Sequence, residues 1–162
     1  MGRVMRPALR PIACLAAVLA AAGCSPKRMP GTNIEDTPDT RAIVGTIDAY
    51  RQAAERRDPD AVLALVSRKY FDDAGTPDPA DDVDYDQLRR RLVADYAKLV
   101  TVRLEINVNR IDVNDGRAAA YVFYDERYRI RTTAGEVPKQ ASDVQRMQFV
   151  REDGAWKFVS GL

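Results

Sequence analysis

The sequence predicts an α+β fold in which three N-terminal helices precede an antiparallel sheet of about four strands. Three observations predict it. Apolar residues recur at helical spacing in successive stretches between Asp39 and Leu99, with no convincing strand among them. From Val102 onward the period changes to strict alternation. Asn114-Asp115-Gly116 and Asp153-Gly154 then supply the tight turns of a meander.

The chain opens on a leader. Arg3, Arg6 and Arg10 form a basic stretch, and Pro11 to Ala22 is apolar and uncharged. That run of about a dozen residues is too short to cross a hydrocarbon core, which needs roughly 20. The residues Ala21-Ala22-Gly23-Cys24 resemble a bacterial lipobox, with Ala21 where Leu is commoner. The resemblance implies cleavage after residue 23 and lipidation of Cys24, and Ser25 beside it implies transfer to the outer membrane, facing the periplasm. Several acyl chains give stable membrane anchoring, since two lipid signals already suffice. Residues 24–38 follow as a flexible tether, with Pro26, Pro30, Gly31 and Pro38 among polar residues.

The domain is expected over 39–162. Ile43, Ile47, Tyr50 and Ala54 share one face of a first helix, Asp39 to Arg57. Asp58-Pro59-Asp60 starts a second: an N-cap carboxylate, a proline suited to the first position, and an acid at the positive end of the dipole. Val62, Leu65 and Val66 are its buried side. After a loop with Gly75, Pro77 and Pro79, a third helix from about Tyr85 to Leu99 turns Leu88, Leu92, Val93, Tyr96 and Leu99 inward. Val102, Leu104, Ile106 and Val108 then alternate with polar residues, marking a strand with one buried face. The next strand, Arg117 to Thr132, carries Ala120, Val122, Tyr124, Tyr128 and Ile130 at one parity. Thr133-Ala134-Gly135-Glu136 turns it, Ser142 to Glu152 is a third strand, and Asp153-Gly154 leads into a last one with Trp156 and Phe158.

This order of elements, closing on Asp153-Gly154-Ala155-Trp156-Lys157-Phe158, resembles the nuclear transport factor 2-like (SnoaL-like, cone-shaped) superfamily over about residues 39–162. The resemblance implies a curved sheet that encloses a pocket with the helices, and acid or base residues projecting into it from the strands and from the segment after the second helix. On that analogy the catalytic candidates are Asp72 and Asp73 with Tyr70, and Tyr121 or Tyr124 on the central strand. The competing reading has Tyr70 and Phe71 plugging the core while the aspartates cap a loop, since paired aspartates are common turn material.

Other constellations favour structural readings. Asp82, Asp84 and Asp86 have the 1-3-5 spacing of a calcium loop, but Gln87 and Val93 stand where Gly and Glu are required, so they read as cap and first-turn charges of the third helix. Arg89, Arg90 and Arg91, and the row Arg127, Arg129 and Arg131, read as solvated faces, and Trp156 as packing.

Composition narrows the function. Removing the three leader arginines leaves 22 basic against 24 acidic residues, which argues against a nucleic-acid partner. The chain has no histidine, and its two cysteines are Cys14 in the leader and Cys24. Ser-His-Asp chemistry, His-ligated zinc and disulfides in the domain are therefore excluded, and neither metal nor cofactor is expected. Any catalysis must use carboxylates, Tyr, Lys or Arg. The leading expectation is a non-enzymatic, membrane-anchored binding or assembly module of the cell envelope, taking a small apolar ligand or an envelope protein. A carboxylate-based isomerase or hydrolase of a small apolar substrate, and a structural component of an envelope complex, are the alternatives. The charged parity containing Arg103, Glu105, Asp125, Arg127 and Arg129 argues against a large apolar dimer interface, and the oligomeric state stays open.

Overall fold

The computed structural model describes residues 27–162. The leader and Cys24 lie outside the described residues. Helix α1 (Pro38–Arg56) is followed by the short α2 (Pro59–Leu63), the two-residue strands β1 (Phe71–Asp72) and β2 (Val83–Asp84), and α3 (Tyr85–Tyr96). Four strands complete the chain: β3 (Leu99–Asn114), β4 (Arg117–Thr132), β5 (Gly135–Glu152) and β6 (Ala155–Ser160). They form one curved antiparallel sheet in the order β3-β4-β5-β6, the meander that the turn signals predict.

The helices start where local chemistry stops the preceding chain. Thr37 and Thr40 form a reciprocal capping box at α1, and Arg57, at φ 55°, ends it in the left-handed region. Asp58 accepts the Ala61 amide as the N-cap of α2. Asp84 and Gln87 cap α3 reciprocally at 2.7 and 2.8 Å, so Asp84 has the capping role expected of it.

Four expectations need correction. Residues 27–37, expected within the tether, fold back on themselves: Arg28 bridges Glu35, Gly31 turns the chain at φ 72°, and Ile34 is only 4% exposed. A single anchoring residue in a tight turn leaves no periodicity to read. The third helix ends at Tyr96 and not Leu99; Leu99 opens β3, and Val93 is 52% exposed. Strand β3 is longer than expected because a bulge between Val108 and Arg110 resets the parity and keeps Ile111 on the inner side. Strand β5 begins at Gly135, not Ser142, since its polar first half is held by main-chain pairing to β4.

The core lies between α1, α2 and the proximal half of the sheet. Ile43, Ile47, Val122, Phe149 and Phe158 are at its centre, and Phe158 stacks against Phe149 with ring centroids 4.6 Å apart. Trp156 is buried and donates to Asp39 at 3.2 Å, tying the last hairpin to the start of α1. The inner face of the distal half, around Tyr124, Glu126, Tyr128 and Ile130, is only half-buried.

Candidate functional site

Tyr70, Asp72 and Asp73 do not form a free acid-base set. Tyr70 is buried and its hydroxyl stands 3.2 Å from Asp72 Oδ2 and 3.3 Å from the Leu162 carbonyl, with one proton to donate. The same hydroxyl accepts the Leu162 amide at 3.1 Å. Asp72 Oδ2 also accepts the Gly161 amide at 2.6 Å, and its Oδ1 accepts from Ala74. Both carboxylate oxygens are thus engaged, Oδ2 in holding the C-terminal residues to the β1 strand and Oδ1 in the turn that follows it. Asp73 is exposed and accepts the Gly75 amide in a turn, the loop role of the competing reading. Phe71, expected in the core beside Tyr70, is 55% exposed.

The two strand tyrosines separate by parity. Tyr121 faces the outer side of the sheet, with the Arg110 guanidinium 4.1 Å from its ring centroid. That outer face also carries Phe123 paired with Val144, which are 39% and 66% exposed, beside the charged row. In that row Arg127 pairs with Asp125 at 3.1 Å and Arg129 with Glu136 at 3.3 Å. Arg89, Arg90 and Arg91 are exposed on α3.

Tyr124 faces inward, where the structure assembles a group that the sequence reading passed over. On β4, Tyr124, Glu126 and Tyr128 share the parity of Ala120 and Val122, opposite Ile106, Leu104 and Val102 on β3. Helix α1 supplies Tyr50, whose ring meets Phe158 edge-on at 5.6 Å, and α3 supplies Tyr96. Electrostatics shows that these groups sense one another. Burial pushes the Tyr50 hydroxyl up, and Tyr96, Glu126, Tyr70 and Tyr124 each push it further. Tyr96 is pushed up to about 12 by burial, then by Glu126 and Asp58. Burial, Asp143 and Glu126 raise Tyr124.

Glu126 is the anomaly of this cluster. Its carboxyl is raised above the ordinary glutamate range by burial alone, with neither a hydrogen bond nor a cation among the described residues to offset it. A half-buried carboxylate without a partner is costly, and such perturbed groups cluster at functional sites. The signal was present in the sequence: one acid at the apolar parity of a strand, between Tyr124 and Tyr128. It is masked there by Asp125 and Arg127, whose outward charges make the whole stretch look solvated.

No family model matches the chain, and no curated protein matches it by sequence. Solved structures match its fold. A conserved protein from Planctomyces limnophilus superposes with a TM-score of 0.65 at 12% identity, covering 76% of this chain and 92% of the other. A nuclear transport factor 2-like superfamily protein from Salmonella enterica serovar Typhimurium gives 0.62 at 13% identity, covering 75% and 86%. A type 2 hexachlorocyclohexane dehydrochlorinase gives 0.62 at 10% identity, covering 76% and 82%. At these identities the likeness concerns the fold, and the described domain has the curved-sheet architecture of nuclear transport factor 2-like proteins.

Proposed function

We propose that the protein is a lipid-tethered module of the cell envelope whose domain binds a small ligand in the concavity of the curved sheet, on the half-buried inner face of β4 beside Tyr50 of α1 and Tyr96 of α3. The observation that carries the ligand-binding part is Glu126, an unpartnered, half-buried carboxylate ringed by tyrosines on the uncovered half of the inner sheet face. The tether rests on the lipobox-like Ala21-Ala22-Gly23-Cys24. Together they favour capture of a small molecule at the outer membrane, on its periplasmic side. The same fold in a dehydrochlorinase is compatible with a pocket for compounds of that size.

Binding is tested by recording the tyrosine ring signals by NMR during titration with a panel of small apolar compounds. Shifts at Tyr50, Tyr96 and Tyr124 are expected, and a panel that moves only the outward Tyr121 would sink the proposal. The tether is tested by labelling cells with an alkyne fatty acid: label in the wild type and its loss in Cys24→Ser are expected.

An enzyme is the second reading, favoured by the raised Glu126 carboxyl. A base poised closer to neutrality abstracts protons from weak carbon acids better than an ordinary carboxylate does. In that case Glu126→Gln abolishes turnover while Asp72→Asn lowers stability without touching the chemistry.

A further inference from the structure

The concavity has a chemical preference, and the inference below rests on its being the binding site. Its half-buried charge on β4 is the Glu126 carboxylate. On β4 the neighbouring arginines, Arg127 and Arg129, lie on alternate residues that face the other side of the sheet, where Asp125 and Glu136 hold them. On β3 the register partner of Glu126 is Leu104, and on β5 it is Ala141. Lys139 shares the inner face diagonally but is exposed and forms no ion pair with Glu126 among the described residues. Asp143, also on that face, adds a second negative charge beside Tyr124. From the helices come the hydroxyls of Tyr50 and Tyr96, and the Asp58 carboxylate at the start of α2 also acts on Tyr96.

Three ligand classes can be weighed against this arrangement. An anion meets the carboxylates of Glu126 and Asp143, with only the exposed Lys139 of that face to offset them. A neutral apolar ligand removes the remaining water from Glu126 and offers nothing in return, so it deepens an existing desolvation cost. A cation turns the unpaired carboxylate into a pair, and the tyrosine faces add attraction to a weakly hydrated ammonium. We infer that the ligand is an organic cation, a protonated or quaternary amine with apolar substituents, its charge on Glu126 and its substituents against Tyr50, Tyr96 and Tyr124.

Choline and its neutral isostere 3,3-dimethylbutan-1-ol make the test, titrated into the full-length protein with the tyrosine ring signals followed by NMR. Choline is expected to shift the rings of Tyr50, Tyr96 and Tyr124 and to bind at least about tenfold more tightly than the isostere, and Glu126→Gln to erase that difference. Tyr96→Leu, at a half-exposed position, is expected to weaken choline several-fold with Glu126 intact, and it serves if the glutamine variant does not fold. Equal binding of both compounds, or choline binding unchanged in Glu126→Gln, overturns the cationic class and leaves the concavity as a binding site. If choline moves none of the three rings, the cationic class is likewise overturned. The binding site itself falls only if the neutral panel also leaves them still.

Discussion

Glu126 and Asp72 are carboxylates at comparable depth in one domain, and their surroundings give them opposite work. Asp72 is saturated by the Gly161 and Ala74 amides and the Tyr70 hydroxyl, so it stabilises. Replacing it with Ala is expected to cost roughly 1–3 kcal/mol in urea denaturation, the usual penalty for orphaning such partners, while Asp73→Ala stays within about 0.5 kcal/mol. Glu126 is unpaired, so it destabilises once ionised. Because its folded value lies above its unfolded one, the folded protein holds a proton through a pH window where the unfolded chain has released it. Its effect on stability is therefore absent below the unfolded value and grows as pH rises through the folded one. Glu126→Gln should match the wild type near about pH 4 and exceed it at neutrality in denaturation midpoint. Tyr70 and Asp72 were legible as a pair of interest from their position after α2. Their partners were not, being some 90 residues away at the C-terminus, and only tertiary closure brings them together. Glu126 was legible by parity alone, and solvent-facing neighbours concealed it.

At the scale of elements, legibility followed how local the cause is. The caps of α2 and α3 depend on residues three apart, and Asp58-Pro59 and Asp84 could be read directly. The distal half of β5 has no such cause. Val137-Pro138-Lys139-Gln140-Ala141 shows no alternation, and it is a strand because β4 lies beside it in continuous register from Arg117 to Thr132. The β1–β2 ladder, which closes the loop between α2 and α3, is equally a product of pairing. Two predictions belong here. Asp84→Ala removes a capping box on a helix with one buried residue, Leu88, and should cost about 1 kcal/mol by thermal denaturation. Gly161→Ala is more severe. At φ 89° an added Cβ would lie 2.4 Å from the Arg146 carbonyl oxygen, backbone against backbone, so the strand end must move and the Asp72 tie is lost with it. A loss larger than that of Asp72→Ala is expected in the same urea experiment.

Over the whole molecule, the sheet is covered at one end and open at the other. Trp156, Phe158, Ile43 and Ile47 close over Ala118, Ala120, Val122, Met147 and Phe149, whereas β5 from Gly135 to Val144 and the facing part of β4 keep at least partial exposure throughout. β6 pairs with β5 only from Gln148 to Glu152, so the outer edge of the distal half has no strand beside it. Stability should follow cover, since segments with few apolar contacts open locally at a fraction of the global free energy. Native-state hydrogen exchange is expected to show amides of 118–122 and 147–150 opening near the global limit and amides of 126–131 and 137–143 exchanging at least about a hundredfold faster. The half predicted to open most readily is the one that carries Glu126, as a site that must admit a ligand requires. A ligand seated on Glu126 should therefore raise protection along 124–130 and leave the proximal half unchanged. Uniform protection along β4 in the free protein would mean that the inner face is already closed over, and Glu126 could then bind nothing without a larger rearrangement of α3.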